Sequence, residues 1–243
     1  MNESVIALLR GTPAFAGLEE ETLERLAPAA TLVEVPPGTS LFGQGDEATW
    51  LHLLVRGMVA LTASAPTNGE AVVVEVVAPK ELFVLAATLL AVPYVVAART
   101  LQAARLLLVD AACLRQAAAE DSRLAVALMQ EIGRQYRRMV DQVTDLKLRS
   151  ASQRLARYLV ALLDGHPTGG AEVHLPYDKR LLAARLGMQP EHLSRAFAAL
   201  RRYGVVTYGL HVQIAQPDLL AAFAAVDGAT PTGPSGARPR RSP

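Results

Sequence analysis

A chain of 243 residues has room for two domains, and its single cysteine, Cys113, excludes an internal disulfide and any four-cysteine iron–sulfur or zinc site. The formal net charge of +1 hides an acidic front, 11 Lys and Arg against 17 Asp and Glu in residues 1–146, and a basic back, 10 against 5 in residues 147–225. That asymmetry fits one module that handles nucleic acid and one that does not.

Met1–Ala30 carries early charges and only the short apolar run Val5–Leu9, so it does not read as a secretory signal, and a reduced, cytoplasmic setting is expected. A short helix breaks at Gly11-Thr12-Pro13, and Leu18, Leu23 and Leu26 mark a small amphipathic helix. Strands follow: Leu32–Val35, Ser40–Phe42, Trp50–Val55, Met58–Thr62 and the alternating Ala71–Val77, with Asn68-Gly69 as a hairpin turn and Leu101–Val109 as the last strands. Short strands closed by glycine predict an antiparallel roll or jelly-roll barrel. Leu82–Ala98 is seventeen residues without charge, interrupted at Pro93; it reads as buried core, not as a membrane span.

From Asp110 the period becomes helical for about 38 residues. Met129, Ile132, Tyr136, Met139, Val143 and Leu146 step by 3 and 4 alternately, a heptad seam suited to pairing with a second copy. Arg134, Arg137, Arg138 and Asp141 occupy the other faces. Ser150–Leu163 is another amphipathic helix, and Gly165–Gly170 a loop.

Tyr177–Tyr203 then reads as two short helices broken at Gly187. Leu181, Leu182 and Leu186 line the first, and Leu193, Phe197 and Leu200 the second. Pro190 and Glu191 suit a helical first turn. With Val173–Leu175 and a hairpin over Val205–Ile214 turning near Gly209, the unit is a winged helix-turn-helix. Gly228–Pro243, rich in Pro, Gly and Ser with three arginines, reads as a disordered basic tail.

The order of these parts, with PPGTSLFGQGD, LLVRGMVAL and LAARLGMQPEHLSRAFAALRRYGVV, resembles the family of the cAMP receptor protein and the fumarate–nitrate regulator from about Val5 to Leu220. RSASQRLARYLVALL, HLPYDKRLLAARLGMQPEHLSR and AVPYVVAA are similar to the heme-containing, nitric-oxide-responsive regulators of denitrification within it. The resemblance implies an α+β chain: a cyclic-nucleotide-binding-like sensor roll (1–119), a dimerisation helix (120–148), a winged helix-turn-helix (149–225) and the tail (226–243). It implies a homodimeric transcription factor that binds double-stranded DNA and works with RNA polymerase.

Glu191-x-x-Ser194-Arg195 matches the recognition motif of the fumarate–nitrate branch, which targets TTGAT…ATCAA-type palindromes. The chemistry agrees: an arginine fork binds guanine O6 and N7, a glutamate accepts from cytosine N4, and serine adapts. At i, i+3 and i+4 all three share a helical face. Gln189 and His192 flank that face, and Lys179, Arg201 and Arg202 are either phosphate contacts or plain solvated charges.

The sensor is less explicit. Cyclic-nucleotide binders of the family hold ribose and phosphate with a Gly-Glu pair and a downstream Arg-Ser/Thr; here the glutamate position falls near Leu85 and the arginine near Val95, so cAMP is not expected. The apolar stretch predicts a pocket lined from Leu82 to Val96 that suits heme, as the resemblance implies, or another hydrophobic effector. His52 and Met58 are the strand residues of axial-ligand type, the plainer alternatives being an exposed strand residue and a core residue; Cys113 is either a thiolate ligand or buried. A regulator with no effector, its pocket filled by its own side chains, is the alternative. A cupin-like metal enzyme is more remote, because His52 is alone in the barrel and no metal triad is available.

Overall fold

The computed structural model describes residues 2–64, 71–163 and 169–225, so the Asn68-Gly69 turn, most of the Gly165–Gly170 loop and the tail lie outside the described residues. The chain forms two compact units, residues 1–141 and 142–243.

The first unit opens with α1 (Asn2–Arg10) and α2 (Glu20–Leu26), and Leu18, Leu23 and Leu26 turn inward as their spacing predicts. Among the described residues eight strands follow: β1 (Ala30–Val35), β2 (Ser40–Phe42), β3 (Trp50–Arg56), β4 (Val59–Ser64), β5 (Ala71–Val77), β6 (Leu82–Phe83), β7 (Ala97–Thr100) and β8 (Ala104–Asp110). They build two antiparallel sheets, ordered β1-β8-β3-β6 and β2-β7-β4-β5. Phe42, Leu54, Val59, Leu61, Phe83 and Leu106 fill a core shared by both sheets. The other face of the first sheet, through Leu51, Leu53, Leu107 and Val109, packs against the helices. Strands β3 and β8 are therefore buried on both faces, which is why they read LHLLV and LLLV instead of alternating.

Two expectations need correction here. Leu101–Ala103 is a turn, and the strand before it begins at Ala97, inside the uncharged run. That run also holds α3 (Leu85–Leu90) and is not uniformly core: Leu82, Phe83 and Leu85 are buried, whereas Leu90, Val92 and Val95 are exposed. A seventeen-residue apolar stretch cannot be packed on all sides by a roll this small.

The helical region from Asp110 is two helices, α4 (Ala111–Glu120) and α5 (Ser122–Leu148). Asp121 stands extended between them; its side chain accepts from the N–H groups of Arg123 and Leu124, from the Thr22 hydroxyl and from Arg25 at 2.8 Å. It thus starts α5 and ties that start to α2.

In the second unit, α6 (Ala151–Ala161) begins at a capping box in which Ser150 and Gln153 satisfy each other's backbone N–H. Then come β9 (Ala171–His174), α7 (Lys179–Arg185), α8 (Pro190–Leu200), β10 (Val205–Tyr208), β11 (His211–Ile214) and α9 (Pro217–Ala225). The strands form one antiparallel sheet ordered β10-β11-β9. Leu155, Leu159, Leu182, Leu193, Phe197 and Leu220 share its core. Helix α9, which the sequence reading missed, packs on α6. Among the described residues no helix is long and apolar enough to cross a membrane.

Candidate nucleic-acid interface and sensor core

The helix-turn-helix is built by local chemistry. Asp178 caps α7 by accepting from Leu181 N at 2.8 Å. At its other end Gly187 takes φ +61°, a conformation natural to glycine and costly for other residues. Arg154 of α6 donates to the carbonyls of Leu186 and Arg149, both at 3.0 Å, and reaches that of Gly187 at 3.4 Å. A cation at these carbonyls complements the negative end of α7 and holds the turn. Pro190 opens α8 with no N–H to satisfy, and Leu193, Ala196, Phe197 and Leu200 bury its inner face.

The outer face of α8 carries Glu191, His192, Ser194 and Arg195, all exposed. Among the described residues no ion pair or hydrogen bond engages the side chains of Glu191 or Arg195, so both are free for a ligand. Ser194 Oγ donates to the carbonyl of Pro190 at 3.1 Å, which keeps its lone pairs outward as acceptors. Gln189 is the exposed residue before α8 and makes no side-chain cap bond.

The flanking cations differ. Lys179 Nζ sits 3.4 Å from Thr207 Oγ1 and 5.4 Å from the Phe197 ring centre. With Ser194, Arg201 and Thr207 it rims a concavity of about 200 Å³ beside the recognition helix. Arg202 instead lies over the rings of Tyr203 and Phe223, at 4.9 and 5.9 Å. It braces α9 and is the least available of the three for phosphate. Sequence reasoning missed Arg154 and Thr207. Neither carries a spacing signal, since each acts on an element distant along the chain.

The expected sensor pocket is not assembled from the residues proposed for it. Leu82 and Leu85 belong to the core under the helices, Met58 is buried, and Val95 stands 76% exposed. Val84, just before α3, takes φ +57°, a strained choice for a β-branched side chain. His52, against its plainer reading, is buried among the rings of Phe42, Phe83 and Tyr94, at centroid distances of 5.0, 5.0 and 6.2 Å. Its Nδ1 has no hydrogen-bond partner, and burial lowers its pKa to about 4.

These residues do not fit a heme. The His52 ring is enclosed by three others and has no open side for a macrocycle. Cys113 is exposed, neither buried nor ready as a ligand, because the Asp110 side chain pushes its thiol pKa up and disfavours the thiolate. Among the described residues no group of three His, Cys, Asp or Glu could hold a metal ion.

Helix α5 turns Leu124 and Leu128 into the core with Ile132 packed against it. Buried Glu131 accepts from Arg134 at 2.9 Å and from Gln135 at 3.1 Å. The rest of the seam faces outward: Met129, Tyr136, Met139, Val143 and Leu146 are 62, 63, 55, 44 and 42% exposed. Each is a large apolar side chain left open to solvent in the single chain.

Comparison with known proteins covers both units. Residues 153–223 match the model of the Crp-like helix-turn-helix domain, and residues 32–121 that of the cyclic nucleotide-binding domain. The chain is 24% identical over 212 residues, 85% of its length and 94% of the relative's, to the CRP-like cAMP-activated global transcriptional regulator of Mycobacterium tuberculosis. It is 32% identical to the structure of a candidate cyclic nucleotide binding protein from Ruegeria pomeroyi, covering 93% of this chain and 99% of that one with a TM-score of 0.62. FixK2 from Bradyrhizobium japonicum, 22% identical over 81% of this chain and 98% of its own with a TM-score of 0.69, shares the fold.

Proposed function

We propose that this chain, which belongs to the Crp family of DNA-binding transcription regulators with a cyclic nucleotide-binding domain, acts as a homodimer on a palindromic site of the TTGAT-N4-ATCAA type. The observation that carries the proposal is the exposed face of α8, where Glu191, Ser194 and Arg195 stand together and the two charged side chains have no described partner. In the major groove, Arg195 donates to guanine O6 and N7, Glu191 accepts from cytosine N4, and Ser194 offers its lone pairs. Lys179 and Arg201, at the rim beside α8, neutralise phosphate and set the register. His192 and Gln189 reach outer bases or sugar.

The uncovered seam of α5 supports the dimer. Two copies joined along it present two α8 helices, and twofold symmetry in the protein asks for a palindrome in the DNA.

Two of these relatives are described as cAMP-activated or as cyclic nucleotide binding, but this chain reads differently. A cyclic phosphate needs a cation or a nest of N–H donors, and a ribose needs a carboxylate. Leu85 and Val95 at those positions supply neither, and the space between the two sheets is filled by Leu54, Leu61, Leu106 and the ring cluster around His52. The roll therefore works without cAMP, its interior occupied by its own side chains. A fluorescence titration of the palindromic duplex, repeated with cAMP, tests this: affinity is the same in both. Tightening by cAMP contradicts the self-filled roll, and failure to prefer the palindrome contradicts the regulator's site.

A further inference from the structure

We propose a second ligand site on the β-roll, away from the ring-filled interior: a groove at the Gly57 turn that takes a phosphate group through Arg56 and Arg105. The groove encloses about 1090 Å³, and Glu34, Arg56, Gly57, Pro79, Gln102 and Arg105 line it.

Its construction is specific. Between Leu54 and Arg56 the register of β3 against β8 shifts, and the irregularity sets Arg56 directly opposite Arg105. Such bulges re-aim side chains. Two like charges opposite each other on neighbouring strands are destabilising unless something neutralises them. Arg56 makes no hydrogen bond or ion pair with any described residue. The Nε of Arg105 is buried and has no hydrogen-bond partner; its one carboxylate neighbour, Glu34 Oε1, is 3.7 Å away, too far for a hydrogen bond, on a side chain that is 80% exposed. The floor is held by Gly57, at φ +95°. A β-carbon there would collide with the Ala103 carbonyl and lie 2.7 Å from Ala104 Cα, so only glycine lets the turn lie on this segment.

Two guanidinium forks side by side, one with an unsatisfied buried N–H, match a tetrahedral dianion that accepts from both. The chemical class is a phosphate, free or carried by a small metabolite. Among the described residues Glu34 is the one carboxylate lining the groove, and it competes with the ligand.

Calorimetric titration of the intact chain at fixed ionic strength tests this, with inorganic phosphate, pyrophosphate and adenosine monophosphate as probes and chloride as control. At least one probe binds saturably, Arg56→Gln weakens it by about tenfold or more, and Glu34→Gln tightens it. Arg56 is exposed, so its variant keeps the fold, which circular dichroism verifies. Tighter binding of adenosine monophosphate than of phosphate identifies a phosphorylated metabolite; equal binding identifies free phosphate. No saturable binding of any probe, or unchanged affinity in Arg56→Gln, overturns the site.

Discussion

The side chain of Leu146 occupies the space that a β-carbon on Gly187 would need. One residue closes the heptad seam of α5 and the other forms the turn between α7 and α8, so the last turn of the seam helix rests on the helix-turn-helix itself. Arg154, bridging the carbonyls of Arg149, Leu186 and Gly187, fastens the same junction. Asp145 adds to it, accepting from Arg149 at 2.8 Å and Arg157 at 3.1 Å. The end of α5 therefore sits against the turn that precedes the recognition helix.

Gly187→Ala combines a left-handed backbone with a collision against Leu146. The backbone conformation alone costs about 1–2 kcal/mol. Urea unfolding should show a loss at least that large, together with weaker DNA binding. Unchanged stability would mean that the junction is loose.

Arg195→Ala should lower affinity for the palindrome by about 1–3 kcal/mol and relax preference at a single guanine in each half-site. Arg195→Lys should not restore that preference, because an ammonium cannot fork onto O6 and N7. Competition binding against duplexes substituted at each position reads both outcomes. A variant that keeps full preference removes Arg195 from base recognition.

Met139→Glu places a charge in the middle of the seam. Met139 is more than half exposed in the single chain, so the variant should fold normally and fail to pair. Sedimentation velocity distinguishes a wild-type dimer from a monomeric variant. A variant that still sediments as a dimer moves the interface elsewhere.

The pH dependence of stability should carry the signature of His52. Its folded pKa of about 4 lies below the ordinary 6.5, so the unfolded chain binds its proton first as pH falls. Stability is whole above pH 6.5 and is lost between 6.5 and 4, by about 3 kcal/mol for a shift of this size. Asp110 and Asp121, held below the usual carboxylate range by hydrogen bonds, the Cys113 N–H and the Thr22 hydroxyl first among them, act in a lower window. His52→Phe keeps a ring in the cluster and should flatten the 6.5-to-4 portion. An unchanged slope in that variant would assign the loss to other groups.

How much was legible in the chain depended on periodicity. The stripe of Leu193, Phe197 and Leu200, the Pro190 start and the break at Gly187 stand in the structure where spacing placed them, because an amphipathic helix records its own inner face. The Trp50–Val55 and Ala71–Val77 strands were equally readable. Leu82–Ala98 was not: with no charge and few polar residues, spacing carries little contrast, and only tertiary packing decides that Leu85 goes in and Val95 stays out. His52 was misjudged for a related reason, since alternation predicts an outer face only where one face meets water, and β3 has none. Helix α9 had a readable start in Pro217-Asp218 that went unused. The interactions of Arg154 and the stacking of Arg202 on Phe223 join residues far apart in sequence, which no local pattern records.

Sequence reading by α8 stands or falls on a salt-controlled binding titration of the intact protein on a TTGAT-N4-ATCAA duplex and on a scrambled duplex of equal length and composition. The account predicts two chains per palindromic duplex and an affinity at least about a thousandfold above the scrambled one at physiological salt. Equal, steeply salt-dependent binding to both duplexes would contradict it, reducing α8 and its neighbours to a basic surface that holds phosphate without reading sequence.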